Sequence, residues 1–542
     1  MVANPPFSYK SWSNGVNIPE EQQAGGRFYG YGVPPSKNGD YAFLMHILKS
    51  LKSKGKGAVI LPHGVLFRGN AEAEIRQNLI RRGVIKGIIG LPANLFYGTG
   101  IPACLIVLDK ENAENRKGIF MIDAGKDFMK DGNKNRLREQ DIHKMVDVFN
   151  KQLEIPKYSR MVPVAEIEEK EFNLNLPRYI DSTEPEDIQN IEAHLQGDIP
   201  NADVDALQNF WAVYPSLKSH LFGKSKREGF SKLNIEQDEI KQSIFSHPEF
   251  TAYGQKTDIV FNIWKNKIVP LCLAIDADTK PKKFIHTISE DLLQTFSNLQ
   301  LIDPYDVYQH LMRYWMETMQ DDCYLLVGEG WKAGNEVEWT KKEFEGKLIP
   351  KQLLIQRYFD AEQKALEQLE ATRDALVAQL EEMEEEHIGE EGLFAALDKV
   401  NKANVNAELK TVKAELKPLK KSDADFEELV QKKAVFEQYV ELADAQTEAN
   451  KLVKEAKVEL DKKLLDKYTT LTEADIKTLV VEDKWMTTIE ATVKGEMQRI
   501  SQRLTQRIKE LAERYDATLT ELLLEVNQWE EKVMKHLEKM GY

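Results

Sequence analysis

The sequence predicts an α/β domain at its amino end, followed by a mainly α-helical extension that carries a long antiparallel coiled coil. Three observations predict this. Helical periodicity alternates with short apolar strands over the first 180 or so residues; residues 185–340 place many aromatic side chains on helical spacing; and from about residue 350 the composition shifts to Ala, Glu, Lys, Leu and Gln. At 542 residues the chain is too long for one hydrophobic core, and roughly 150 residues per domain gives about three to four. The expected divisions are 1–182, 185–345 and 350–542.

The elements follow in order. Asp40 to Leu48 has helical periodicity, Gly55-Lys56-Gly57 turns the chain, and Ala58-Val59-Ile60-Leu61-Pro62 reads as a strand. A polar helix from Ala71 to Arg82 leads to a strand from Val84 to Leu91, and Gly98-Thr99-Gly100 leads to an apolar strand from Ala103 to Leu108. These last two strands are expected to pair antiparallel across the intervening loop. Phe210, Trp211, Phe222, Phe261, Trp264, Trp315 and Trp331 imply a packed helical interior. Beyond it, Phe359, Leu366, Leu369, Leu376, Leu380 and Met383 form one seam, and Ile508, Leu511, Tyr515, Leu522, Val526, Trp529 and Val533 a second. The two bracket a helical insert, pointing to an antiparallel coiled coil that docks against itself or a partner.

Composition excludes several classes. No run approaches the roughly 18 to 20 apolar residues of a membrane span, and Met1-Val2-Ala3-Asn4-Pro5-Pro6 lacks the basic and apolar regions of a secretion signal, so the chain reads as cytoplasmic. Cys104, Cys272 and Cys323 are too few and too scattered for a disulfide framework or a zinc site, and no histidine or Asp321-Asp322-Cys323 spacing marks a metal. A net charge of -15 argues against unaided wrapping of DNA, because that affinity comes from clustered Lys and Arg releasing counterions. A basic partner is expected to hold any DNA substrate.

The residues that carry chemistry are Asn4, Pro5, Pro6 and Phe7. The lone pair of an adenine amino group is delocalised into the ring, so the amine is a poor nucleophile. Two fixed acceptors gripping its hydrogens favour the pyramidal form and stabilise the positive charge that develops as a methyl group arrives. The Asn4 side-chain carbonyl and the Pro5 backbone carbonyl are such a pair. Consecutive prolines stiffen the turn, since each fixes φ, removes an N–H and keeps the preceding residue extended. Phe7 offers a face on which an extruded base replaces its lost stacking, worth about 1–3 kcal/mol.

This run and five further blocks resemble the modification subunit of type I restriction-modification systems, an S-adenosylmethionine-dependent N6-adenine DNA methyltransferase. The blocks are Asp40-Tyr41-Ala42-Phe43, Ala58 to Gly69, Glu74-Ile75-Arg76, Leu91 to Ile101 and Phe172 to Ile180. The resemblance covers residues 1 to about 182 and is weaker beyond Glu192. It implies that Asn4 and Pro5 hold the target amine, Pro6 shapes the loop, Phe7 stacks on the flipped adenine, and Phe96 lines the pocket from the other side. It further implies DNA, a specificity subunit, a second modification subunit and a restriction subunit as partners. The rival expectation is a non-catalytic scaffold whose helices dock a specificity subunit, and methylation of RNA or a protein amide by the same device stands third.

In this class a strand, a Gly-rich turn and a helix that hold the cofactor precede the Asn-Pro-Pro run. Gly30-Tyr31-Gly32, Gly55-Lys56-Gly57, Gly98-Thr99-Gly100 and Gly328-Glu329-Gly330 do not have strand, turn and helix in that order. The expectation is therefore the C-terminal half of a Rossmann-like methyltransferase sheet, truncated at its amino end, which binds S-adenosylmethionine weakly or not at all by itself. An unpaired strand edge and a sheet face short of helices follow from it.

Overall fold

The computed structural model describes residues 1–183, 187–341, 343–389, 392–421, 423 and 425–541. The chain forms two compact units, one of residues 1–264, 286–315 and 492–542, the other of residues 265–285 and 316–491.

The first unit is built on a mixed sheet. Its strands are β1 (Val2–Ala3), β2 (Lys56–Pro62), β3 (Ile85–Gly90), β4 (Ala103–Asp109) and β5 (Gly118–Asp123); after a small hairpin, β6 (Met129–Asp131) and β7 (Lys134–Arg136), comes β8 (Ser159–Pro163). The spatial order is β1-β2-β4-β3-β5-β8. β1 runs parallel to β2 and β3 parallel to β5, while β4 lies antiparallel between β2 and β3. The antiparallel β3–β4 pair expected across the Gly98 loop is therefore present. The carboxyl ends of β1, β2, β3 and β5 all open at one end of the sheet, which is where the candidate residues gather.

Helix α1 (Ile18–Glu21) is a single turn with Pro19 near its start and no buried residue, while α2 (Asp40–Ser50), α3 (Ala71–Arg81) and α4 (Glu139–Lys151) follow from their apolar spacing. α2 buries Tyr41, Leu44, Met45, Ile47 and Leu48, a stripe of threes and fours. With Ile75 and Leu79 of α3 they pack on Val59, Leu61, Ile88, Cys104 and Ile106. Each such side chain contributes about 1.5–3 kcal/mol of burial. α4 lays Met145 and Val148 on the other face, against Ile89, Phe120 and Ile122; it ends at Gln152, whose left-handed backbone (φ 50°) donates to the Val148 carbonyl. Beside it, Ala58, Ile60, Leu105 and Val107 stay half-buried, and Val2 on the edge strand is 84% exposed.

The rest of this unit is mostly helical but includes a three-stranded sheet formed by Ile199–Pro200, Phe222–Lys224 and Phe230–Leu233. Gln140 at the start of α4 donates from its side chain to Asp306 at 2.8 Å, joining the sheet domain to the helix Pro304–Tyr314. Asp187 receives Arg507 and Arg514, which hold its carboxyl well below the usual range.

The second unit contains the long helices. Asp360–His387 lies antiparallel to Phe426–Thr470, as Glu362–Lys463 at 3.2 Å, Glu370–Lys457 at 2.6 Å and the Tyr439 hydroxyl to Glu384 at 2.7 Å record. This corrects the expected pairing of the two seams. Leu366, Leu380 and Met383 of the first seam are buried in this unit, and Leu380 and Met383 share a cluster with Phe436 and Tyr439 of the adjacent long helix. The second seam breaks at Asp516–Thr518: Ile508, Leu511 and Tyr515 are buried, whereas Leu522, Val526, Trp529 and Val533 lie on a separate helix, Leu519–Met540, with no buried residue. Thr518 starts that helix with a capping box to Glu521.

Candidate functional site

Asn4 to Phe7 follow directly on β1, past the last ladder pair, Ala3 with Val59. Asn4 and Pro6 are exposed, Pro5 and Phe7 half-buried. Two prolines in this run remove two backbone donors, so the chain leaves the sheet without a strand to continue. Phe96 lies on the loop between β3 and β4, and its ring meets that of Phe7 edge to face, with centroids 5.7 Å apart at 73°. The fold thus brings together the two aromatic positions singled out from the sequence, 89 residues apart in the chain.

The loop carrying Phe96 is braced from below. Lys134 on β7 donates to the Phe96 carbonyl at 2.9 Å and to the Thr99 carbonyl at 3.2 Å. Asn135 donates from its side chain to the Ala93 carbonyl at 2.7 Å and from its backbone to the Asn94 carbonyl at 3.0 Å. Asn94 itself is left-handed (φ 55°), and its amide donates to the Gly100 carbonyl. None of these roles was legible beforehand: a Lys-Asn dipeptide more than thirty residues downstream carries no signal of the loop it supports.

A second set of residues sits behind the Asn-Pro-Pro-Phe run. The Ser8 amide donates to Asp40 Oδ1 at 2.7 Å, and Arg68 Nη1 donates to Asp40 Oδ2 at 2.8 Å. Arg68 also reaches Glu72 at 3.2 Å, and burial raises the Glu72 carboxyl despite this partner. A Cβ on Gly64 would stand 2.5 Å from Arg68 Nε, so glycine there leaves the guanidinium its place. His63, at the carboxyl end of β2, takes the Pro102 carbonyl with its amide at 3.1 Å, while its Nε2 is enclosed without a hydrogen-bond partner. Burial pushes the His63 imidazole below its usual value, with the Asp123 carboxylate opposing.

The methyl donor expected from the resemblance needs a glycine cradle at a strand end. Arg68 fills the space over Gly64, and Asn94 Oδ1 lies 2.9 Å from where a Cβ on Gly100 would stand. At Gly64 and Gly100 the space such a group would need is thus taken by Arg68 and Asn94, whereas Gly69 and Gly98 stand open. Among the described residues no cluster of His, Cys, Asp and Glu is grouped to hold a metal ion, and no helix is long and apolar enough to cross a membrane. Cys104, Cys272 and Cys323 are buried free thiols, each raised by burial.

Residues 1–188 match the family model described as N-6 DNA Methylase. Among curated proteins, the chain is 32% identical over 201 residues to the type I restriction enzyme MjaVII methylase subunit of Methanocaldococcus jannaschii, an alignment covering 36% of this chain and 34% of that protein. It is 33% identical over 187 residues to the MpnII methylase subunit of Mycoplasma pneumoniae, covering 34% of this chain and 33% of that protein. The chain spans about a third of the length of these curated relatives. A solved methyltransferase subunit of a type I restriction-modification system from Streptococcus thermophilus is 40% identical, with a TM-score of 0.31 over 33% of this chain and 37% of that one. Residues 1–188 are thus similar to the N-6 DNA Methylase model and, over much the same stretch, to type I methylase subunits.

Proposed function

We propose that the chain supplies the target-base side of an N6-adenine DNA methyltransferase, as part of a modification subunit working with a specificity subunit. The observation that carries this reading is the convergence of Asn4, Pro5 and Phe7 at a strand end with Phe96 across from them, ring to ring at 5.7 Å. An adenine extruded from the duplex stacks on Phe7 and is walled by Phe96. Its amino hydrogens are gripped by the Asn4 side-chain carbonyl and the Pro5 backbone carbonyl, which stabilise charge developing on N6. The methyl group comes from S-adenosylmethionine, held by a body other than the residues described. The half-buried face of Ala58, Ile60, Leu105 and Val107 and the exposed β1 edge are where such a body packs. Sequence readout rests with the specificity subunit, in keeping with the net charge of -15.

The test is co-expression with a specificity subunit and a donor-holding body, in bacteria lacking adenine methylation. N6-methyladenine in host DNA is then quantified by mass spectrometry. Asn4→Ala is expected to abolish the signal while the complex still assembles. Undiminished methylation by that variant would remove the clasp from the mechanism.

A second reading is a scaffold without catalysis, favoured by the helix Leu519–Met540, whose Leu522, Val526, Trp529 and Val533 are all exposed on one seam. Val526→Glu is expected to block assembly with the specificity subunit while changing the melting temperature little, since surface substitutions fall within about 0.5 kcal/mol. If assembly is lost with Val526→Glu and Asn4→Ala changes nothing, the scaffold reading stands alone.

A further inference from the structure

Ser8, directly after the Asn-Pro-Pro-Phe run, holds a left-handed backbone with φ 49°, a conformation a residue with a Cβ adopts only when its surroundings impose it. Two crosswise hydrogen bonds impose it here. The Ser8 amide donates to Asp40 Oδ1 at 2.7 Å, and the Gly39 amide donates to the Tyr9 carbonyl at 3.0 Å. The segment is thereby docked on the amino end of α2. A Cβ on Gly39 would stand 2.8 Å from the Trp12 Cβ, so the approach requires glycine.

Asp40 is an unusual floor for an exposed loop. Its side chain is 0% exposed, and its second oxygen accepts from Arg68 Nη1 at 2.8 Å and the Ser8 hydroxyl at 3.4 Å. Arg68 runs on to Glu72, 1% exposed, and Arg76 donates to the carbonyls of Phe172, Val65 and Arg68 at 2.8, 3.2 and 2.9 Å. Taking a carboxylate out of water is costly, and well-packed apolar residues serve stability as well or better. What an apolar residue cannot do is fix the direction of the Ser8 amide. That amide belongs to the peptide unit of the Phe7 carbonyl, and the two prolines before it leave little freedom with which to absorb a rotation.

We infer that Asp40 is a positioning residue: by holding the Ser8 amide it sets the orientation of the Phe7 ring and of the Asn4 and Pro5 acceptors, with Arg68 keeping the carboxylate itself in place. The inference rests on the base-clasp reading above. Asp40 touches neither the base nor the reacting atoms; it acts through the loop.

The test uses the full chain in its complex, with tritiated methyl transfer onto DNA from a host lacking adenine methylation, and hydrogen exchange at the Ser8 amide. Asp40→Ala is expected to lower kcat by ~10-fold or more with KM for DNA within about threefold. It also speeds exchange at Ser8 while core amides such as those of Leu44 and Val59 stay protected. Asp40→Asn, made together with Arg68→Gln so that the new NH2 does not face a guanidinium, keeps an oxygen for the Ser8 amide and recovers kcat to within about threefold, whereas Asp40→Glu keeps the charge for Arg68 but displaces that oxygen and stays impaired. This crossed pair keeps the test readable where Asp40→Ala fails to fold. The reverse order, Glu active and Asn impaired, would overturn the inference in favour of simple charge burial, as would an Asp40→Ala complex with wild-type kcat. Retained activity in Asn4→Ala, by contrast, defeats the base clasp itself, whatever the Asp40 variants do.

Discussion

Replacing Phe7 by alanine tests the stacking face in isolation. The ring is half-buried, with its contact to Phe96 edge to face at 5.7 Å. Losing that contact costs about 0.5–1.5 kcal/mol, small beside the ~5–15 kcal/mol that keeps a domain folded, so Phe7→Ala should fold. Losing the stack on an extruded base costs about 1–3 kcal/mol, and at 1.36 kcal/mol per tenfold this is about 5- to 150-fold in kcat/KM. The assay is methyl transfer by the assembled complex, with a parallel binding measurement in which 2-aminopurine replaces the target adenine and brightens on leaving the duplex. Phe7→Trp restores a flat aromatic face and should recover activity to within about threefold, while Phe7→Leu, of similar bulk without a π face, should resemble alanine. Equal activity for leucine and phenylalanine, or an alanine variant with unchanged kcat/KM and unchanged 2-aminopurine brightening, would refute the stacking role.

Further outcomes follow from other residues. Burial holds the His63 imidazole below its usual 6.5, so the unfolded chain takes up that proton first as the pH falls. The stability tied to neutral His63 is complete above the unfolded value and lost as pH drops from about 6.5 toward the lower folded value; the urea midpoint should decline over that window, and His63→Gln should flatten the decline. In the second unit, Asp322 accepts from the Trp485 indole at 2.8 Å and pairs with Lys484 at 2.7 Å, with side chains 9% and 11% exposed in the pair. Asp322→Ala leaves the buried Trp485 indole N–H without its acceptor and takes the carboxylate from Lys484, which keeps the Leu348 carbonyl at 2.8 Å; it should cost about 1–3 kcal/mol, read as a lower denaturation midpoint, and an unchanged midpoint would mean that solvent reaches the pair.

What was legible in the sequence was what depends on short-range pattern. The strand from Ala103 and the helix from Asp40 follow from apolar spacing, and the antiparallel β3–β4 pair follows from a Gly-bearing loop without a helix between two apolar runs. The aromatic pair was expected only through the resemblance, which sets Phe96 across one pocket from Phe7; nothing in the spacing of the two residues gives it. Their meeting depends on β4 lying antiparallel beside β2, which no local pattern announces. Asp40 stood in a recognised block, yet its partner is a backbone amide, and amides leave no mark in a sequence. The two helical seams illustrate the opposite failure. Both have the right period, but period does not name a partner, and the long helix Phe426–Thr470 took the place assigned to the second seam. The Thr518-x-x-Glu521 capping box that divides the second seam was readable and is the signal that separates its buried half from its exposed half.

The Phe96 wall is the tip of a hairpin and not a crossover between parallel strands, because β4 returns immediately beside β3. A crossover cannot change length without disturbing the helix it contains, but a hairpin tip tolerates insertions and deletions while its stems stay in register. Here the tip is also held by Lys134 and Asn135, so the setting of Phe96 against Phe7 is tied to those contacts. Lengthening or trimming residues 92–101 would release those contacts and reset the Phe96 ring, leaving the end of β1 where it stands.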